Sequence, residues 1–191
     1  MLLNARRNSL ILLFPPHFFS KNVQRKYKTN YLDNLLLPYD DVHEYMSSTI
    51  QSVNIPGWSI DTPEQTRMLG AKQEFKPGLP VKDYFNRSFT VKFQLADGFL
   101  NYFLFMENAI QYLNFKNKEM YFPMVKVGLI NNEGYLVCGI DFKKVILSGM
   151  SDLDLSHAAV SQEFNTWSAD FKYMDWRLNL DFGTVKDNPA I

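Results

Sequence analysis

Residues 87–95 read Arg-Ser-Phe-Thr-Val-Lys-Phe-Gln-Leu, and Ala96-Asp97-Gly98 follows at once. Phe89, Val91, Phe93 and Leu95 alternate with Ser88, Thr90, Lys92 and Gln94. Successive side chains of a strand point to opposite faces, so the spacing predicts a half-buried antiparallel strand with one apolar face. Residues 163–173 repeat the pattern near the other end. There Trp167, Ala169, Phe171 and Tyr173 alternate with Thr166, Ser168, Asp170 and Lys172. Two such segments predict a mainly β fold (α+β) built on antiparallel sheet.

Between them the period changes. Asp97 is placed to cap a helix, with Gly98 beside it. Phe99, Phe103, Met106, Ile110 and Leu113 recur at intervals of three and four. This predicts one flanking amphipathic helix with that stripe in the core and Asn101, Asn108 and Gln111 toward the other side. Residues 124–130 then predict a strand with Val125, Val127 and Leu129 on one face. Asn131-Asn132-Glu133-Gly134 predicts a hairpin turn, and residues 135–147 the return strand. Leu136, Cys138, Ile140, Phe142 and Ile146 share one side of it, and Ser148-Gly149 is read as its end.

The first part of the chain is more broken. Residues 8–14 predict a strand ended by Pro15-Pro16. Arg6 and Arg7 precede its apolar run, yet no small-residue cleavage site follows, and the run is too short to span a bilayer. No membrane partner is expected. Ser20 is placed to cap a short helix, and Lys21, Arg25, Lys26 and Lys28 read as a solvated face. Residues 31–37 are apolar and stop at Pro38. Asp40 and Asp41 predict a helix start running through Tyr45. Residues 48–55 predict a strand halting at Pro56-Gly57, and residues 58–60 are extended. Residues 61–86 carry Pro63, Gly70, Pro77, Gly78 and Pro80, with only isolated apolar points such as Met68 and Phe75. A polar excursion of that length is usually a contact element. The chain reads as a single domain over residues 1–191, with an N-terminal elaboration in 1–47, an arm in 61–86 and a loose tail in 183–191.

Composition removes several function classes. The 191 residues are 46% hydrophobic and 15% aromatic, ample for a core. Lys plus Arg equals Asp plus Glu at 20 each. That balance argues against a dedicated nucleic-acid binder and leaves little self-repulsion to oppose assembly. The single cysteine, Cys138, allows no intrachain disulfide and reads as a small buried hydrophobe. His17, His43 and His157 are scattered without zinc-site spacing. A polar helix start accounts for Asp40, Asp41, His43 and Glu44. Asp152, Asp154, Ser156 and His157 crowd too closely in sequence for a catalytic triad, and the phosphate-binding glycine fingerprints are absent. No catalytic residue, metal ligand or cofactor is predicted, and the chain reads as no enzyme.

From Ser48 onward the order of elements resembles the tail tube proteins of tailed bacteriophages and, more loosely, the tubes of contractile injection systems. The resemblance is carried by Ile55-Pro56-Gly57, the excursion, Arg87-Ser-Phe-Thr-Val-Lys-Phe with Ala96-Asp97-Gly98 and its helix, and the residue 131–134 hairpin. Ile140-Asp-Phe-Lys-Lys-Val-Ile-Leu-Ser-Gly-Met, Ser151-Asp-Leu-Asp-Leu-Ser and Ala169-Asp-Phe-Lys-Tyr complete it. It covers about three quarters of the chain; the first forty-odd residues are longer than in a minimal tube protein, which leaves room for a tube initiator, hub ring or other tube-like component.

The resemblance implies an antiparallel β-sandwich or barrel with a flanking helix, six copies of which form a ring around a channel that passes DNA. It implies self-assembly, stacked rings and neighbouring tail, baseplate or hub proteins, in the virion of a phage made in the host cytoplasm. On that footing Trp58, Met68, Phe75 and Phe85 become candidate inter-subunit anchors. Gln51, Asn54, Asp61 and Glu64 become candidates for the channel lining, which should be polar and should not bind DNA specifically. The competing reading is a monomeric β-barrel or sandwich that binds a small apolar ligand, with a hydrolase third.

Overall fold

β7 (Leu136–Met150) is fifteen residues long and belongs to both halves of the sheet. The structure, a computed structural model, describes residues 9–32, 37–55, 57, 64–66, 72–74, 87–114, 120–130, 136–153 and 165–180. Before β7 come β1 (Ser9–Leu13), β2 (Ile50–Asn54), β3 (Glu64–Thr66), β4 (Lys72–Glu74), β5 (Ser88–Gln94) and β6 (Phe122–Ile130); β8 (Thr166–Lys172) and β9 (Asp175–Asn179) follow it. Among the described residues three α-helices accompany them: α1 (Lys21–Lys26), which runs into a π-helical turn (Tyr27–Leu32), α2 (Val42–Ser48) and α3 (Leu100–Tyr112). The main sheet has the order β1-β6-β7-β8-β5-β2, with β9 also on β7. Every pairing in it is antiparallel. The mainly antiparallel β class is as expected, and the α-helices fall in the regions after Ser20, after Asp41 and after Asp97-Gly98 that the sequence marks as helical.

β8 and β9 run along one edge of β7 in a single register: Ile146 faces Lys172 and Lys143 faces Asp175. The sheet curls so that Phe89 of β5 stacks on Phe142 of β7, ring centres 4.3 Å apart. Phe93 stacks likewise on Trp167 at 4.4 Å, and Phe105 of α3 closes over that pair. Offset stacking of this kind adds to what area burial alone supplies. The interior is filled by aromatic side chains.

β5 and β8 behave as their alternation predicts, with Phe89, Val91, Phe93, Trp167, Ala169, Phe171 and Tyr173 all buried. β7 does not. Lys143 and Lys144 are both exposed and Lys144 has φ 52, so the alternation reverses there. Val145 and Leu147 are buried in place of Ile146, while the pairing with β6 keeps its register from Met124–Lys143 to Phe122–Val145. The pairing with β8 shifts register between Leu147 and Gly149, and the strand runs through the expected break to Met150. β9 had no counterpart in the sequence reading.

α3 buries the face opposite to the predicted one. Leu100, Leu104, Phe105 and Ala109 pack inward, and Asn101 and Asn108 are buried with them. Phe103, Ile110 and Leu113 of the expected core stripe are 46%, 64% and 62% exposed. The inward asparagines are paid for by backbone partners. Asn101 accepts from the Ala96 N–H at 3.2 Å and donates to the Gln94 C=O at 2.7 Å. Asp97 is not the cap: Phe99 holds that position with φ 71, after Asp97 at 49 and Gly98 at 67. The Asp97 carboxylate instead accepts from the Tyr45 hydroxyl at 2.9 Å.

In the N-terminal region Ser20 caps α1, accepting from the Val23 N–H at 3.3 Å. Asp41 occupies the cap position of α2 without a side-chain hydrogen bond there. Within the 61–86 excursion, β3 and β4 form a separate two-stranded antiparallel ribbon. The residue 131–134 turn and the 183–191 tail lie outside the described residues.

Candidate assembly surfaces

Among the described residues β1, β2 and β9 each pair on one side only, and β1 and β2 end the sheet at opposite extremes. An unpaired strand edge carries N–H and C=O groups that seek a partner strand. On β1, Ser47 Oγ of α2 donates to the Leu12 C=O at 3.3 Å and so occupies one of these groups. β2 is short and polar, and its bulge between Ile50 and Ser52 falls on Gln51.

Away from the core, β2, β5 and β8 present a level polar face. Pairing aligns Ser52, Lys92 and Ser168 in one row and Asn54, Thr90 and Asp170 in the next. Thr90 Oγ1 donates to Asp170 Oδ1 at 2.6 Å, which ties the second row together. The two rows carry one cation, Lys92, and one anion, Asp170, and the row beyond adds exposed Lys172 opposite Ser88.

The structure brings only one lining candidate onto this face. Asn54 is exposed and sits in its second row. Gln51 is exposed but lies at the bulge, outside either row. Glu64 belongs to the β3–β4 ribbon, where its Oε2 pairs with Lys72 Nζ at 3.1 Å. Asp61 and the four proposed anchors, Trp58, Met68, Phe75 and Phe85, lie outside the described residues.

Two further surfaces escaped the sequence reading. The first is the outer stripe of α3, formed by Phe103, Ile110 and Leu113 with half-buried Met106. A helix apolar on two opposite faces is one made to lie between layers. The signal was present in Leu100, Leu104 and Phe105, which a single-stripe reading passes over. The second is a groove of about 950 Å³ between α2 and the strands β1, β6 and β7. Gly128 faces Gly139 across β6 and β7, and the Leu136 side chain lies over Gly128, its Cδ1 2.5 Å from where a Cβ there would stand. Ile11, Phe14 and Leu136 supply apolar wall; Asp41, Glu44 and Asp141 stand in its lining with one lysine, Lys126.

His43 also lines the groove, and its Nε2 is buried without a hydrogen-bond partner among the described residues. Burial lowers its pKa against the opposing pull of Asp41. Beside it, the Tyr27 hydroxyl donates to the Tyr39 C=O at 2.7 Å. Burial, with Asp41, Asp97, Asp40 and Glu44 nearby, pushes that phenol up to about 12. Burial raises Cys138 too, which makes it a poor nucleophile. Among the described residues no group of three His, Cys, Asp or Glu could hold a metal ion. No helix among them is long and apolar enough to cross a membrane.

No family model matches this chain, and no curated protein matches it. Solved structures similar to it include chains of an extracellular contractile injection system. One is a chain of the PVC sheath/tube terminator of an extracellular contractile injection system in the extended state, 15% identical with a TM-score of 0.48 over 68% of this chain and 84% of that one. A second is from the anti-feeding prophage cap, described as its tube terminating cap, at 14% identity and TM-score 0.47, covering 69% and 80%. A third is Hcp1 from Flavobacterium johnsoniae, at 12% identity and TM-score 0.35, covering 69% and 85%. All three likenesses are remote.

Proposed function

We propose that this chain is a structural component of a phage-tail-like tube, a subunit that assembles with copies of itself into rings around a channel. The observation that carries this reading is the pair of half-satisfied strands at the two extremes of one sheet. Such borders are satisfied when β1 of one copy meets β2 of the next, and head-to-tail contacts of that kind close into a ring when the rotation per subunit closes. Six copies, stacked rings and passage of DNA are the form the tail-tube resemblance gives to this assembly. In it the Asn54, Thr90 and Asp170 row would face the channel, and the residue 61–86 excursion would reach a neighbouring subunit or ring through Trp58, Met68, Phe75 and Phe85. Tail, baseplate or hub proteins would be the further neighbours.

Light scattering coupled to size exclusion, with negative-stain imaging of the same fractions, tests the reading. Rings or tubes are the expected result. A chain that stays monomeric at high concentration, with neither rings nor tubes in the images, overturns it.

A further inference from the structure

Among the described residues two apolar features stand open on separate parts of this molecule, one convex and one concave. The outer stripe of α3 is convex. α1 is tied to α3 through Lys26 and Glu107 and through Ser20 and Gln111. It and the π-helical turn after it carry exposed Lys21, Arg25 and Lys28 on the Glu107–Gln111 flank of α3. The groove under α2 is concave, and its lining carries three carboxylates against one lysine. A convex apolar patch and a concave one on different parts of one chain make a heterologous contact between copies.

We infer that the outer stripe of α3 in one copy seats in the Gly128–Gly139 groove of the next. Phe103, Ile110 and Leu113 enter the apolar trough, and Lys21, Arg25 and Lys28 approach Asp41, Glu44 and Asp141 of the neighbour. The charges set direction and register, and the aromatic and aliphatic side chains supply most of the affinity. This contact rests on the ring reading and specifies its side-to-side joint: it buries the helix face that the fold leaves open, independently of any strand-to-strand pairing.

The test uses the full chain. Ile110→Asp with Leu113→Asp alters exposed positions only, so thermal melting is expected to stay unchanged while ring formation falls at least about tenfold. A second pair, Ile110→Cys with Leu13→Cys in a Cys138→Ser background, is expected to give an oxidised ladder of covalent oligomers that neither single cysteine gives. Arg25→Glu is expected to weaken rings, and Glu44→Arg in the same chain to restore them. Rings that persist in the double aspartate variant, or the absence of a ladder from a wild-type-like ring former, overturn this contact and leave the ring reading standing. A wild-type chain that forms no rings at all removes both. A small apolar molecule recovered from the groove by extraction and mass spectrometry also overturns the contact, since the groove would then be a ligand site.

Discussion

Asn108 of α3 clamps the chain at Ser20. Its Oδ1 accepts the Ser20 N–H at 2.9 Å, and its Nδ2 donates to the Phe18 C=O at 2.9 Å. The side chain is 2% exposed, so both bonds are made away from water. They hold the turn that delivers Phe18 and Phe19 into the core and starts α1. Asn108→Leu leaves two backbone groups without partners, and a buried unsatisfied group costs about 1–3 kcal/mol. A loss of about 3 kcal/mol in urea unfolding is expected, with Asn108→Asp recovering only part of it. Loss below about 0.5 kcal/mol would show that water replaces the clamp.

Lys144 is held at φ 52 on an exposed turn of β7. A left-handed backbone costs a residue with a Cβ about 1 kcal/mol, and glycine removes that cost. Lys144→Gly is therefore expected to raise stability by about 0.5–1 kcal/mol, and the β-branched Lys144→Val to lower it by at least as much. Paired thermal melts distinguish these signs. If glycine destabilises, the strand reversal at this position is not set by the backbone of Lys144.

The strands that could be read from sequence were those whose alternation is unbroken and whose partners lie on either side of them. β5 and β8 are such strands, and their inward residues agree position by position. β7 misled because alternation is a local signal, and one positive-φ residue at Lys144 cancels it without any glycine to mark the place. α3 misled for a different reason. Both its faces are apolar, and the choice between them is made by Asn101 and Asn108, whose partners lie at Gln94, Ala96, Phe18 and Ser20. Such bonds are visible only after the fold exists. Of the described lining candidates, Gln51, Asn54 and Glu64, only Asn54 lies on the polar face, since a bulge displaces Gln51 and Glu64 belongs to a different sheet.

Trp167 fills the centre of the core with its Nε1 buried and without a hydrogen-bond partner among the described residues. Its ring stacks on Phe93 and meets Tyr102 edge-on at 5.5 Å. Trp167→Phe keeps the stack, removes an orphaned donor worth about 1–3 kcal/mol, and leaves a void costing a similar amount. The two nearly cancel, so a change within about 1 kcal/mol is expected. Trp167→Ala has no compensation and is expected to cost about 3–5 kcal/mol. Denaturant midpoints of the two variants give the comparison directly. A Phe variant as damaged as the Ala variant would mean that Nε1 does have a partner.

Stability should fall at both ends of the pH scale, for opposite reasons. Burial depresses the His43 pKa, so the folded chain resists a proton that the unfolded chain accepts. The stability this residue allows is present above the ordinary histidine pKa and is lost as pH falls through the depressed one. Melting is thus expected to drop as pH falls below the ordinary histidine value of 6.5, and His43→Phe, which keeps the edge contact with Phe19, should flatten that slope. Tyr27 is the reverse case. Its phenol is raised from 10.0 to about 12, so the folded state keeps its proton longer than the unfolded state does. Its contribution is complete below pH 10 and is lost as pH climbs toward about 12, and burial beside Asp97 raises Tyr45 in the same direction. Melts across that window, with phenolate absorbance followed in parallel, should show unfolding and ionisation together, with a shallower slope in Tyr27→Phe. Phenolate appearing well before unfolding would place these hydroxyls in solvent and remove the basis for the alkaline limit.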